Sequence, residues 1–141
     1  MAAGFSLPEE NIEAFRRRLN EVCTLTEEEL QAKVVIDVPM PITYITKNLI
    51  RQLSLLEPFG KGNTKPLFAQ KGLTVLNYRI FGKNRNVVKV QLADADGVYF
   101  GEGEAFAAYV DAHPTLSVAY YPSIDTWNGR DKLQINIQSY F

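Results

Sequence analysis

The chain has 141 residues, of which 46% are hydrophobic and 22% charged, and its formal net charge is −1. This composition excludes a disordered or fibrous protein and is typical of one domain, or a small pair of domains, with a buried core. The sequence lacks a signal-peptide pattern and the ~18 consecutive apolar residues of a membrane span, and its single cysteine, Cys23, fits a reducing cytoplasm.

Two helices are predicted at the start of the chain. Ser6 and Glu9 form the S-x-x-E pattern of a capping box, which places the first helix directly after Ser6. The apolar residues that follow recur at helical spacing, at Ile12, Phe15, Leu19 and Val22. Thr26 and Glu29 repeat the capping box and predict a short second helix.

A short strand and a third helix are predicted next. The β-branched run KVVIDVP is typical of a strand, which Pro39 ends. After Pro41 the helical period returns and predicts a helix. The residues that keep this period are Ile42, Ile45, Leu49, Leu53 and Leu56.

The stretch LEPFGKGNTKP, residues 56–66, predicts an elbow between this helix and the strands that follow. Because Pro58 disfavours helical geometry at the residue before it, the helix is expected to end there. Gly60 and Gly62 can supply the positive φ of a sharp turn. Pro66 then opens the next strand, where its missing N–H does least harm.

The rest of the chain is predicted to form strands with one helical interruption. The run LFAQKGLTVLNYRIF changes its in-and-out phase once, which predicts a strand bent at Gly72. VVKVQLAD alternates with its valines and leucine inward, VYFGE is a short third strand, and EGEAFAAYVDAH is a short helix. TLSVAYYPSIDTW and DKLQINIQ form the last two strands, joined by the hairpin signal Asn128-Gly129.

This element order predicts an α+β protein: N-terminal helices and a connecting helix followed by a five-stranded OB-fold-like Greek-key β-barrel. Three strands, a short helix and two strands are the order of an OB-fold. SH3-like and other small barrels compete with this prediction, but they usually lack the helix.

The sequence offers little for catalysis. Its one histidine, His113, precedes Pro114 at the predicted end of a helix, where a capping or surface position is expected. The sequence has no H-E-x-x-H motif, no paired cysteines, no nucleophile elbow and no phosphate-binding loop motif. These absences favour a binding protein over an enzyme.

The basic residues are concentrated in one part of the sequence. Residues 1–58 hold six Lys or Arg and nine Asp or Glu, whereas residues 59–141 hold nine and seven. Seven bases from Lys61 to Lys89 follow one another without an intervening acid. Such a run favours a surface that faces a polyanion, and a solvated face is the alternative.

Two predicted loops carry bases and aromatic rings. In an OB-fold, the loop between strands one and two and the loop between strands four and five rim the nucleic-acid groove. Single strands need cations along the backbone path and flat rings on which bases stack. The residues predicted to bind come from these loops, the outward strand faces and the elbow: Lys61, Lys65, Phe81, Lys83, Arg85, Lys89, Tyr121, Trp127, Arg130 and Lys132. Tyr99 and Gln134 are further outward candidates.

Three strings in the chain resemble one known family. MAAGFSLPEENIEAFRRRLNE, LEPFGKGNTKP and DTWNGRDKLQINIQ together resemble the C-terminal part of RecJ, the bacterial exonucleases specific for single-stranded DNA. The most specific match is to the family's L-E-P-F-G-x-G-N-x-x-P, carried by residues 56–66. Residues 1–4 resemble the end of the GGH-x-x-A-A-G signature of the DHH-associated domain, so the chain resembles a fragment of a longer protein.

The resemblance implies a division of labour along the chain. Residues 1–32 would be the helical tail of the DHH-associated domain, residues 33–65 the short strand and connecting helix with its elbow, and residues 66–141 the OB-fold domain. The fragment itself would not be an enzyme but would bind single-stranded DNA for an exonuclease that acts from the five-prime end in DNA repair and recombination. Manganese or magnesium would be held in an upstream DHH domain. The alternative partner is the acidic tail of single-strand-binding protein.

Overall fold

The computed structural model describes residues 4–30, 33–126 and 131–141. Two compact units divide the chain, Met1–Lys33 and Val34–Phe141. Within the described ranges, no helix combines the length and the apolar character that crossing a lipid bilayer requires.

The first unit contains two helices, and the first of them begins later than predicted. A 3₁₀ turn at Glu9–Asn11 leads into α1, Ile12–Val22, and no side chain caps either start. The prediction that Ser6 caps this helix is wrong. Because Pro8 restricts the preceding residue to extended geometry, the chain cannot turn helical directly after Ser6.

The second capping box is confirmed. The helix α2, Glu27–Leu30, follows Thr26, whose backbone N–H donates to Glu29 Oε2 at 2.9 Å. In return, the Glu29 N–H donates to Thr26 Oγ1 at 3.3 Å. The hydrogen bonds from the Thr26 backbone and then its hydroxyl hold the pKa of Glu29 below its ordinary value.

The second unit is built on one mixed sheet. Its elements are β1 (Val38–Pro39), α3 (Lys47–Ser54), β2 (Phe68–Leu73), β3 (Val75–Phe81), β4 (Val87–Leu92), β5 (Asp96–Phe100), α4 (Gly103–Ala112), β6 (Leu116–Asp125) and β7 (Lys132–Tyr140). The spatial order of the strands is β1-β2-β6-β7-β5-β4-β3. The predicted α+β architecture is confirmed, with α4 between the strands that correspond to OB strands three and four.

The sheet closes on itself through a bend in one long strand. Only Thr74 separates β2 from β3, yet β2 pairs with β6 and β3 pairs with β4. Gly72, at φ +70, lies where the register between β2 and β6 shifts. The predicted bend is therefore confirmed, but the predicted first strand counts as two. With β1 added parallel to β2, the sheet has seven strands in the described residues rather than five.

The third helix is shorter than predicted. Ile42–Tyr44 is a 3₁₀ turn, and α3 begins only after Thr46, whose Oγ1 accepts from the Leu49 N–H at 3.0 Å. Ile42 and Ile45 are buried in the core outside the α-helix. Their spacing of three residues fits a 3₁₀ turn as well as an α-helix, which is why the pattern extended the helix too far.

The elbow forms a compact turn. Gly62 has φ +87, as predicted, whereas Gly60 lies outside the left-handed region, so the prediction is wrong for Gly60. The backbones of Gly60 and Asn63 exchange hydrogen bonds at 2.8 and 3.1 Å. The Asn63 side-chain amide donates to the carbonyls of Leu56 and Pro58 at 2.8 and 3.0 Å, which ties the turn to the end of the helical segment.

The core lies inside the barrel. Its fully buried side chains include Val88, Val90, Phe106, Leu116, Val118, Tyr120 and Ile135. Phe106 carries α4 onto the barrel, where its ring stacks on Tyr99 at 5.0 Å and meets Tyr140 edge-on at 4.9 Å. Val88, Val90 and Leu92 of β4 are all buried, which confirms the inward direction predicted for them.

Candidate nucleic-acid interface

The outer face of the barrel carries a groove across β3, β4, β5 and β7. It has a volume of about 350 Å³. Its lining includes Arg79, Phe81, Lys89, Asp96, Asp125 and Lys132. Because directly paired residues of adjacent strands project from the same face, the strand register arranges these side chains in rows.

One row, here called the cationic row, consists of Arg79, Lys89 and Val98. Arg79 on β3 is paired directly with Lys89 on β4, and Lys89 is paired with Val98 on β5. Arg79 and Lys89 are both exposed, and the described part of the chain gives neither of them an acidic partner. Like charges directly opposite each other destabilise a sheet, so an anion bound between them would relieve a built-in repulsion.

The next row, here called the aromatic row, consists of Phe81, Val87 and Phe100. Val87 on β4 is paired with Phe81 on one side and with Phe100 on the other. Phe81 is 40% exposed and Phe100 is 64% exposed. Phe81 also lines the groove, and the other two residues continue the row beyond it.

The opposite end of the groove is of mixed charge. Lys132 at the start of β7 forms an ion pair with Asp96 and is paired in register with Asp125. Nearby, Lys47 Nζ lies 3.0 Å from Asp131 Oδ2. These carboxylates compete with any phosphate for the same cations, so this end offers less net positive charge than the cationic row.

The loop at residues 82–86 carries two predicted binding residues, which differ in their contacts. Lys83 is exposed and has no acidic partner among the described residues. Arg85 has φ 53, forms an ion pair with Glu104, and its carbonyl accepts from the Gly103 N–H at 3.1 Å. Its contacts fasten the loop to the start of α4, so Arg85 acts structurally in the free protein.

The elbow brings together a second group of predicted residues. Lys65 Nζ lies 4.8 Å from the centroid of the Tyr121 ring and 6.0 Å from that of Phe59, both within reach of a cation–π interaction. Lys61 is exposed in the same turn. None of Lys61, Lys65 and Tyr121 lines the groove.

The predicted set is therefore divided among several places. Phe81, Lys89, Lys132 and Gln134 meet in the groove, whereas Lys65 and Tyr121 meet at the elbow. Tyr99 points inward onto Phe106, so its proposed outward position is wrong. Trp127 and Arg130, like the Asn128-Gly129 hairpin, lie outside the described residues.

Two residues of the candidate interface, Arg79 and Phe100, are absent from the set that the sequence predicts. Arg79 alternates with Asn77 and Phe81 along β3, so the outward position of Phe81 carried the signal that Arg79 is outward too. Phe100 gave no comparable signal, because Gly97 and Val98 are buried in succession and hide the alternation of the strand.

The described residues contain no group of three or more His, Cys, Asp or Glu that could hold a metal ion. His113 lies at the C-terminal cap of α4, with Nδ1 2.8 Å from the Tyr109 carbonyl and its ring stacked on that of Tyr109. Its predicted capping position is confirmed.

Comparison with known proteins gives consistent matches. Residues 36–139 match the family model of the RecJ OB domain. The chain is 33% identical over 144 aligned positions to the single-stranded-DNA-specific exonuclease RecJ of Bacillus subtilis (strain 168), covering 98% of this chain and 18% of that protein. The corresponding values for the Salmonella typhimurium protein of the same name are 29% identity, 97% of this chain and 24% of that protein.

A solved structure has the same fold. The crystal structure of RecJ from Thermus thermophilus in complex with Mn²⁺ superposes with a TM-score of 0.71 at 22% identity, over 97% of this chain and 20% of that chain. The chain thus spans about a fifth of the length of the relatives it matches. Since the family model covers well over half of its residues, the chain belongs to the RecJ OB domain family.

Proposed function

We propose that the chain is a single-stranded-DNA-binding accessory region of a RecJ-like exonuclease that works from the five-prime end in DNA repair and recombination. The names of its relatives support the substrate, and the small share of each relative that it spans supports an accessory role. In this proposal the cleavage chemistry, with its manganese or magnesium, belongs to another part of the longer protein, because the described residues offer no fitting ligand set.

The observation that carries the proposal is the direct pairing of Arg79 with Lys89. The fold places two exposed cations directly opposite each other in the lining of a groove, and neither has an acidic partner among the described residues. Such an arrangement costs stability in the free protein. A phosphate bound between the two cations recovers that cost, and phosphate contacts of this kind bind strands with little sequence preference.

A salt titration of a fluorescently labelled oligothymidine tests the proposal. The parent chain should lose affinity as salt rises, with a log-log slope of about −0.7 per neutralised phosphate. Arg79→Gln and Lys89→Gln should each weaken binding and make the slope shallower by about 0.7. Lys71→Gln is the matched control, because Lys71 is exposed on β2 but does not line the groove.

Two outcomes would contradict this function. One is that the parent chain shows no salt-dependent binding of the oligonucleotide. The other is that Arg79→Gln and Lys89→Gln behave like the Lys71→Gln control. Docking of the acidic tail of single-strand-binding protein onto the same cations stays a prediction, which competition between that peptide and the labelled oligonucleotide would test.

A further inference from the structure

We infer that the aromatic row is a base-stacking platform whose most exposed ring is Phe100, and that through it this face selects unpaired strands over duplex. The inference rests on the proposed function, because it assigns the bases of the same strand whose phosphates contact Arg79 and Lys89. It adds a binding residue, Phe100, and a basis for strand selection.

The exposure of the row is the first step of the argument. Single exposed apolar residues are common on protein surfaces. Here two rings and a valine are adjacent in register on three neighbouring strands, with Phe100 64% and Phe81 40% exposed. A continuous apolar strip of this kind is typical of a surface with a ligand.

The neighbouring charge identifies the ligand. The aromatic row lies two residues along each strand from the cationic row, or about 7 Å at the usual rise of a strand. A single nucleotide can bridge that gap, with its phosphate at Arg79 and Lys89 and its base on a ring. Charge on one row and flat rings on the next are therefore complementary to a single polynucleotide strand.

The platform is held in place from behind. Tyr99 stacks on Phe106 in the core, so the next residue, Phe100, must project to the outside. The following Gly101 donates its N–H to the Asn86 carbonyl at 3.0 Å, and Arg85 fastens the same loop to α4. The ends of the β-strands that carry the row are thus fixed before any polynucleotide binds. This lowers the entropic cost of ordering the site on binding.

Selection against duplex follows from the chemistry of stacking. In a duplex the base faces are already stacked on each other, so they cannot lie on Phe81 or Phe100 without being pulled apart. The cationic row alone could hold either kind of backbone. The aromatic row therefore supplies the preference for unpaired strands.

The test compares an oligothymidine with an abasic oligonucleotide of the same length, which keeps every phosphate but lacks the bases. The parent chain should bind the oligothymidine more tightly than the abasic strand. Phe100→Ala should lower affinity for oligothymidine by about five-fold to a hundredfold and leave affinity for the abasic strand unchanged. Phe100→Tyr, which keeps a ring, should retain the parent's affinity.

Leu76→Ala is the matched control, since Leu76 is an exposed apolar residue of β3 that lies outside the aromatic row. The inference is overturned if Phe100→Ala weakens both ligands equally, or neither, while the parent still binds with a salt-dependent slope. In that case the phosphate contacts at Arg79 and Lys89 stand without the platform. If the parent binds no oligonucleotide, the proposed function fails first and the platform with it.

Discussion

At the scale of single residues, Tyr120 shows how the barrel holds the segment that leads into it. Its ring is fully buried on β6, and its hydroxyl donates to the Met40 carbonyl at 2.8 Å, 80 residues away in sequence. Burial raises the pKa of Tyr120 to about 12. The folded protein therefore favours the neutral phenol more strongly than the unfolded chain does.

This shift predicts a loss of stability at alkaline pH. Because the folded pKa is raised above its ordinary value of 10.0, the contribution is complete below pH 10 and is lost as pH rises towards about 12. Tyr120→Phe should lower the free energy of unfolding by about 1 kcal/mol at pH 8 and make its fall above pH 10 shallower. Urea unfolding at pH 8, 10 and 11 measures both effects.

Tyr44→Phe is the control for that comparison, because Tyr44 is 68% exposed. It should unfold like the parent at each pH. An alkaline fall as steep in Tyr120→Phe as in the parent would show that other tyrosines carry the effect, such as Tyr78, whose pKa is raised by its hydrogen bond to Asp111.

Single residues of the groove were predictable where alternation is clean. Lys89 and Gln91 lie between buried residues of β4, so the sequence predicts their outward direction, and the structure places both in the groove. Tyr99 could not be placed in this way. Its strand is five residues long and has two successive buried residues, Gly97 and Val98, so no alternation fixes its phase.

At the scale of elements, the contact between α4 and the 82–86 loop is set by a glycine. A Cβ added at Gly103 would lie 2.4 Å from the Arg85 carbonyl oxygen and 2.9 Å from Ile80 Cγ2. Real Cβ atoms do not approach backbone so closely, so the start of α4 needs glycine to pack on the loop. The position of this loop, and of Arg85 within it, depends on that contact.

We therefore expect Gly103→Ala to destabilise the barrel. The added methyl group overpacks the contact, and the free energy of unfolding should fall by about 1–3 kcal/mol, as measured by urea denaturation. Gly60→Ala provides the matched control, since nothing lies within 4 Å of its added Cβ and its φ is outside the left-handed region. Higher helix propensity and lower unfolded-chain entropy both favour alanine, so they cannot explain a loss. If Gly103→Ala loses no more free energy than Gly60→Ala, the close contact does not determine the stability.

Element boundaries were predictable where side chains and backbone agree. Thr26 and Glu29 form their capping box because nothing between them opposes a helical turn. The same motif at Ser6 fails because Pro8 lies inside it. Likewise, the bend at Gly72 could be predicted from a change in the alternation of inward and outward residues. That the strand pairs with β6 before the bend and with β4 after it depends on contacts across the sheet, which no local pattern contains.

At the scale of the whole molecule, every buried apolar residue of the described core lies between Ile42 and Ile137. This core belongs to the unit Val34–Phe141. We expect residues 34–141 alone to unfold cooperatively in urea, with the β-rich circular dichroism of the full chain. A truncated chain that lacks a cooperative transition would show that the barrel depends on the first unit.

The charge of the second half of the sequence was a partial guide to the candidate site. The seven basic residues from Lys61 to Lys89, which have no acidic residue between them in the sequence, do not form one patch. The sequence pattern had favoured a common surface. Lys65 lies over Tyr121, Lys71 is outside the groove, and Arg85 is paired with Glu104. Only Arg79 and Lys89 of this run line the groove. A linear run crosses both faces of every strand, so it predicts the sign of a surface better than its location.

The joint at Thr74 separates two parts of the fold that can vary independently in length. A residue inserted beside Thr74 would lie between two stretches of strand that already have different partners, so neither register need change. The same insertion between Tyr78 and Arg79 would shift the following residues by one position and turn Arg79 and Phe81 towards the interior. The bend in the backbone thereby shields the phase of the half that carries Arg79 and Phe81 from changes in chain length upstream.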